Sequence, residues 1–536
     1  MDAIQLELMW SNLRSVVTEQ AKAMQRTAFS PVVREAGDLA YALYDARARM
    51  VAQADTGTPG HINCLAFTVR YLAEKFAGRL LPGDVLITND PWLGAGHFND
   101  VAVVAPVFRE GRLIGFVGST NHHSDIGGLG VGVAAHDVHE EGLWIPPAKL
   151  YVEGRPNETL FDLMTRNVRT PDYLVGDLAA QVSSARAGGE EIIELCRRYD
   201  LPDIEALSDD IIALSENAMR EAIRACPSGT WTGETEFDLS GGMIIALKAT
   251  LAIDNVRGEV LIDFAGSTPQ VDKGINVVLN YTHAYSTFTV RSCLTPELPN
   301  NAGSLAPIKV TAPRGSILNC EYPAPVAARH MVGMYVPMPV LKALYHVVPH
   351  RVLAEGPGAV WSAQVIGRDR DGRPFTSSQF SFSGGMGARA EKPGPHATCY
   401  PTGIGATPIE VLEMETPIVF HRRELRPGSG GNGRSRGGDG QIVEFGVRTG
   451  LPWTLHAAVT GTMLGASGLA GGEPGAAGHF LVNGVECRSN GKTQMQPDDI
   501  VHMETPGGGG CGPPPAGDLE KAHRVARAAL EKETSQ

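Results

Sequence analysis

The chain is 536 residues long, 43% hydrophobic and 20% charged, with a formal net charge of −13. That length allows about three domains of ordinary size with ample material for a core. The acidic balance excludes the basic face that nucleic acid requires, so no nucleic acid is expected as a partner. No membrane association is expected either, since no run approaches the roughly eighteen uninterrupted apolar residues of a span. The start, MDAIQLELMW, carries acids where a secretory signal needs a basic, then apolar, stretch. Eight scattered cysteines without a pairing motif read as reduced residues of a cytoplasmic protein.

In chain order, apolar positions at helical spacing (Ile4, Leu8, Leu13, Val17) predict a helix over residues 3–28, ending before Pro31. LAYALYD (39–45) and MVAQ (50–53) read as strands joined around Asp45-Ala46-Arg47. A second helix is predicted over residues 65–76 and a strand over 84–87. VAVVAPVF (101–108) and LIGFVG (113–118) then form a strand pair around the turn Arg109-Glu110-Gly111. Residues 191–196 and 203–225 are helical by period and predict a helical arm. Residues 248–264 alternate about the turn at 255–258 and give the clearest hairpin; residues 281–294 and 336–348 read as helices. Beyond residue 358 the pattern is short strands between Gly/Pro turns, with no further helix until 519–532.

The expected fold class is α+β: a multi-layer metal-binding N-terminal region, a helical arm, and a strand- and glycine-rich C-terminal region. The predicted divisions are a metal-binding core (1–180), the arm (181–235), an α+β region with the hairpin and helices (236–357), the strand- and glycine-rich region (358–515), and a terminal helix or tail (516–536). The 63 glycines cluster at 428–440, 465–478 and 507–512. Lying between strands, they are expected to be ordered, tight turns rather than linkers. An anion cradle made of backbone amides is the functional alternative.

Chemistry concentrates between residues 88 and 128, TNDPWLGAGHFNDVAVVAPVFREGRLIGFVGSTNHHSDIGG. It holds His97, Asp100, His122, His123 and Asp125. Imidazole and carboxylate are the ligands that first-row divalent metals prefer. His97 and Asp100 lie three residues apart on a glycine-rich loop, and the strand pair returns the chain so that His122 comes back beside His97. A metal site from His97, Asp100 and one of His122 and His123 is one reading. The other takes the Asn-Asp dipeptides as turn formers and the histidines as satisfied core residues. Asp125-Ile126-Gly127-Gly128 resembles a phosphate turn of actin-like ATPases, but four residues with two glycines are more often a plain turn.

Taken together, several ordered blocks identify the chain as resembling the hydantoinase B/oxoprolinase family: RTAFSPVVREAGDLAYALYDARARMVAQA (26–54), NDPWLGAGHFND (89–100), NHHSDIGG (121–128), EGLWIPPAKL (141–150), NNAGSLAPIKVTAPRGSILN (300–319), ELRPGSGGNGRSRGGDG (424–440) and ETPGGGGCG (504–512). The resemblance runs from about residue 2 to 515. It implies a partner, a hydantoinase A-type subunit that binds and cleaves ATP-Mg, in an assembly with two copies of each. This fits a chain with no GxxxxGK[ST] loop. It implies either ATP-driven ring opening of cyclic amides (hydantoins, 5-oxoproline, lactams) or ATP-driven carboxylation of ketones with bicarbonate, as in acetone and acetophenone carboxylases. A non-catalytic scaffold is a third reading, against which the intact His/Asp set speaks.

The resemblance further implies that a divalent metal (Zn, Mn or Fe) is held by His97, Asp100 and His122. Asp38 is the expected fourth ligand, although REAGD here departs from the more basic run of many relatives. His123, Asp125 and His61 are then the catalytic candidates, supporting the ligands or transferring protons; a helix N-terminal role for His61 is equally open. The C-terminal glycine block has Cys511 where relatives usually have an aromatic residue. In the expected reaction, the partner phosphorylates the amide oxygen and this chain supplies activated water; in the carboxylase version, the same site orients an enolate and CO2.

Overall fold

A computed structural model of the chain describes residues 2–239, 242–358, 360–487 and 491–515. The helix expected at 519–532 lies outside the described residues. Among them, helix and strand are mixed, in keeping with an α+β class.

The N-terminal part is built on a seven-stranded sheet. Its strands are β1 (Leu39–Asp45), β2 (Met50–Gln53), β3 (Val85–Thr88), β4 (Asp100–Arg109), β5 (Arg112–His122), β6 (Ala148–Val152) and β7 (Arg155–Pro156). They lie in the order β2-β1-β5-β4-β3-β6-β7. The helices Ala3–Thr27 and Pro171–Arg198 cover one face, and the helix Pro59–Lys75 covers the other. This explains why β1 is buried along its whole length. Tyr41 and Leu43 enter the core shared with the first pair of helices, while Ala42 and Tyr44 pack with Ile62, Leu65 and Val69. Alternation along a strand sends successive side chains to opposite layers.

The segment expected as a helical arm is a packed layer. Pro171–Arg198 lies on the sheet, with Tyr41 Oη donating to the Ser184 carbonyl at 2.8 Å and Gln181 Nε2 to that of Val101 at 3.1 Å. Its middle, GDLAAQVSSARAGG (176–189), is rich in small residues. That lets the sheet approach closely, and it also hides the apolar stripe from a periodicity reading.

A second sheet contains β8 (Gly229–Leu239), β9 (Met243–Asp254), β10 (Glu259–Asp263) and β11 (Ile308–Thr311), ordered β11-β10-β9-β8. The expected hairpin is β9–β10, and β11 joins it in parallel. The helices Leu279–Leu294 and Pro337–Tyr345 occur where periodicity predicted them. In the C-terminal part, Trp361, Val365, Phe382, Trp453 and Leu455 of a four-stranded sheet share a core with Val443, Phe445, Phe480 and Met503 of a five-stranded one. A short helix, Ile409–Glu415, interrupts this region, where none was expected.

The glycine runs are ordered, but they are more than turns. Extended segments near residues 385–395, 429–440, 465–476 and 506–512 lie side by side and bond through their backbones. Gly508 N donates to Gly438 O (3.0 Å), Gly438 N to Met386 O (2.9 Å) and Gly510 N to Glu473 O (2.9 Å). A Cβ at Gly385 would stand 1.7 Å from Gly438 O, and one at Gly437 would stand 1.9 Å from Gly508 O. Backbones can meet at this spacing only without side chains. Cys511 sits inside this bundle, buried and paired through its backbone with Ser435.

Candidate metal centre

Three local devices bring the site together. The Asn89 side chain staples the loop before β4, accepting from Ile145 N (2.6 Å) and donating to the carbonyls of Phe98 (2.8 Å) and Leu143 (2.9 Å). Asp100 opens β4 directly opposite His122, the last residue of β5, so the two side chains share a face. Strand β1 begins beside the end of β5, where His122 N donates to Asp38 O at 3.1 Å, which brings Asp38 to the same rim.

Asp100 is the hub. Its Oδ1 lies 2.7 Å from His97 Nε2 and 3.0 Å from His122 Nδ1. Its Oδ2 lies 2.9 Å from His61 Nε2 and pairs with the Arg329 guanidinium. Ligand atoms of His97, Asp100 and His122 all fall within 4.8 Å of one another, and all three residues are buried. His61 Nδ1 is 3.5 Å from Asp38 Oδ1, so His61 stands between Asp38 and the hub. His61 also occupies the first turn of the helix Pro59–Lys75, capped by Thr58. That helix starts six residues before the predicted one, on a Thr-Pro start signal.

Residues that the sequence did not single out complete the frame. Arg329 stacks on Tyr281, its guanidinium carbon 4.1 Å from the ring centroid, and its Nε donates to the Ala95 carbonyl. Gly96, at φ +90°, leaves room for it, since a Cβ there would be 3.0 Å from Arg329 Cδ. Glu141 Oε1 accepts from Val326 N (2.6 Å) and Ala327 N (2.7 Å), and Ala327 O in turn receives His97 Nδ1 at 3.0 Å. The available signals were an Arg-His pair inside the apolar run around residues 324–340 and a glutamate opening the block EGLWIPPAKL.

The electrostatics suit a cation. Burial and the neighbouring Arg329 depress His97 to about 4, so its imidazole is neutral. Burial by itself would raise the Asp100 carboxyl, but His61, His97 and Arg329 overcome that and hold it well below the carboxylate range. His61 is shifted the other way: Asp100 and Asp38 outweigh burial and raise it. Two histidines beside one ionised carboxylate, with His97 Nδ1 fixed on a carbonyl so that Nε2 faces the hub, form a donor set that fits a divalent ion.

Of the expected site residues, His97, His122, Asp38 and His61 line one cavity with Thr58, Arg329 and His330, and Asp100 lies behind them, bonded to His97, His122 and His61. Tyr281, Met334, Val360, Thr402 and Ile404 form the cavity's more apolar side. His123 and Asp125 are buried elsewhere. His123 Nε2 meets Gln181 Oε1 at 3.3 Å across the sheet. Asp125 is held by Arg169 (2.8 Å) and by the backbone amide of Gly127 (3.1 Å), which makes Asp125-Ile126-Gly127-Gly128 an ordinary turn.

The hydantoinase B/oxoprolinase family model matches residues 2–514, and the chain belongs to that family. A putative D-/L-hydantoinase B-type component from Pseudomonas sp. (strain NS671) is 31% identical, over 97% of this chain and 91% of the relative. The crystal structure of the ATP-dependent caprolactamase from Pseudomonas jessenii superposes with a TM-score of 0.88 at 26% identity, covering 98% of this chain and 94% of that one. A nucleotide-free acetone carboxylase shares the fold, with a TM-score of 0.86 at 19% identity over 95% of this chain and 76% of that one. Among the described residues, no helix is long and apolar enough to cross a membrane.

Proposed function

We propose that this chain is the metal-holding subunit of an ATP-dependent cyclic amide hydrolase that acts with a hydantoinase A-type, ATP-binding subunit. The observation that carries this reading is the buried His97–Asp100–His122 cluster facing a cavity that is polar on one side and apolar on the other. The likeness to a hydantoinase component and to a caprolactamase supports amide hydrolysis over ketone carboxylation.

In this reading His97, Asp100 and His122 hold a Zn, Mn or Fe ion, with Asp38 as the fourth donor. A divalent ion there lowers the pKa of water and polarises oxygen, effects worth several kcal/mol at a transition state. The residues around it have separate tasks. Arg329 occupies Asp100 Oδ2 and keeps the carboxylate ionised, leaving Oδ1 turned to His97 and His122. His61, between Asp100 and Asp38, holds a proton that it can release at Nδ1. Tyr281, Met334 and Ile404 take the carbon skeleton of the ring and exclude bulk water. His123 and Asp125 act from behind, fixing the end of β5 and the turn after it. The partner transfers the phosphoryl group of ATP to the amide oxygen, releasing ADP. Water then adds to the activated carbon and the C–N bond breaks, the ring nitrogen leaving with a proton, which opens the ring to an acyl phosphate; a second water cleaves that to the carboxylate and phosphate.

The test is ATP turnover by the chain co-purified with its partner, over cyclic amides and ketones, with and without bicarbonate. ADP formed together with ring-opened acid, independent of bicarbonate, is the expected result. ATP use that fixes bicarbonate stably into a β-keto acid would overturn the hydrolase assignment.

A further inference from the structure

His97 is held at both nitrogens of its ring. Nε2 lies 2.7 Å from Asp100 Oδ1, and Nδ1 lies 3.0 Å from the Ala327 carbonyl oxygen. A neutral imidazole carries one proton, and the hydrogen bond made by one nitrogen decides which of the two keeps a free lone pair. With Ala327 O as acceptor, Nδ1 donates and the Nε2 lone pair is left for an ion. Without that acceptor the proton would sit on Nε2 and bond to Asp100 Oδ1, which closes the same lone pair to a metal.

Two contacts fix the Ala327 carbonyl. Ala328 N, on the same peptide, donates to Gly274 O at 2.5 Å. The other contact is a side chain from a distant part of the chain: Glu141 Oε1 accepts from Val326 N (2.6 Å) and Ala327 N (2.7 Å), the two amides that lead into that peptide. Both residues are buried, and among the described residues neither amide has another acceptor. The same short turn carries Arg329, whose guanidinium pairs with Asp100 Oδ2. One carboxylate therefore stands behind a contact to His97 and a contact to Asp100.

Glu141 is itself wedged in place. It is 2% exposed, and a Cβ on Gly128 would stand 2.5 Å from its carbonyl carbon. Just after it, Leu143 N donates to Ile126 O at 2.9 Å, and the Asn89 side chain bonds Leu143 O (2.9 Å) and Ile145 N (2.6 Å). Residues 141–145 thus clamp the loop that carries His97 on one side and the turn that orients its ring on the other.

We propose that Glu141 is a positioning residue of the metal centre: through the turn 326–329 it sets which lone pair His97 offers and how Arg329 holds Asp100. This rests on the reading of the cluster as a metal site, and it adds to that site a residue that touches neither ion nor substrate. A buried glutamate that only satisfied two amides would support folding and leave the surroundings of the ion unchanged.

The test uses the full-length chain stripped of metal, with Co2+ as the probe. Affinity is read by competition with a chelator and coordination by the visible absorption spectrum. Glu141→Gln keeps an acceptor for both amides, whereas Glu141→Met fills the space without one. Glu141→Gln is expected to bind Co2+ within about threefold of the parent, and Glu141→Met about tenfold or more weaker, with displaced absorption bands. Each is measured well below its own thermal midpoint, so that lost stability does not enter. If Glu141→Met does not fold, Glu141→Asp takes its place. Its carboxylate falls one methylene short of the two amides, and the same weakening and band shift are expected. Parent-like affinity and spectrum in the folded Glu141→Met or Glu141→Asp variant would overturn the positioning role alone. A parent chain that takes up no Co2+ would overturn the metal reading, and the positioning role with it.

Discussion

The N-terminal sheet and the C-terminal glycine bundle solve the same packing problem in opposite ways. Around β1, β4 and β5, layers are joined by side chains: Tyr41, Leu43, Val101 and Val103 interlock with helices, and the cluster at His97 is set into that mass. In the bundle, backbone meets backbone, with Gly385, Gly437 and Gly508 filling positions that no side chain could. The first arrangement can lose a polar side chain at its centre and keep its layers. The second cannot gain a methyl group. The proposed metal site therefore lies in the side-chain-packed part, whereas the bundle is held by backbone alone.

The largest expected effect lies in the N-terminal part and concerns activity alone. His97→Ala removes one donor from the cluster and is expected to cut turnover of the partnered complex by about a thousandfold while the thermal midpoint changes little. Loss of bound metal in the same sample checks the cause. In the bundle, the same kind of experiment reads stability. Gly437→Ala drives a Cβ onto Gly508 O and is expected to cost about 3 kcal/mol or more, measured by denaturant unfolding. If the glycine variant were as stable as the parent, the contrast between the two regions would collapse.

Arg329→Met should blur the contrast, since it strikes the buried ion pair on which the cluster depends. Leaving Asp100 without its guanidinium is expected to destabilise by about 3 kcal/mol and to weaken metal binding, read by unfolding and by competition with a chelator.

A smaller effect is expected at Glu141, whose carboxyl burial pushes up to about 8 against the pull of the Ala327 and Val326 amides. Its folded pKa exceeds the unfolded value of 4.5, so the stability it contributes is complete below pH 4.5 and is lost as pH rises through 8. Glu141→Gln keeps an acceptor for both amides but cannot ionise. Relative to that variant, the parent should lose of order 1–3 kcal/mol between about pH 5 and 9, by thermal unfolding at each pH. Parallel pH profiles would show that the carboxyl does not titrate in that window.

The contrast also explains what could be read from the sequence. Side-chain packing writes periodicity into a sequence, so Ala3–Thr27, β1, β2, the β4–β5 pair and the β9–β10 hairpin were legible, and with them the return of His122 to Asp100. Where packing uses small residues the signal fades: the helix Pro171–Arg198 was reduced to its last turns, and the bundle looked like turns. Arg329 was missed because its partners, Ala95, Asp100 and Tyr281, are far away in sequence. His123 and Asp125 were grouped with the site because they follow His122, yet strand alternation sends His123 to the opposite layer.

The central claim is that an ion held at His97, Asp100 and His122 is needed to open the ring. The most direct measurement is metal titration of the chelator-stripped complex with its partner, following ring-opened acid and ADP together. Product formation is expected to rise from zero in proportion to bound metal and to saturate at one ion per copy of this chain. Full turnover by the stripped complex, with no metal bound, would contradict the claim.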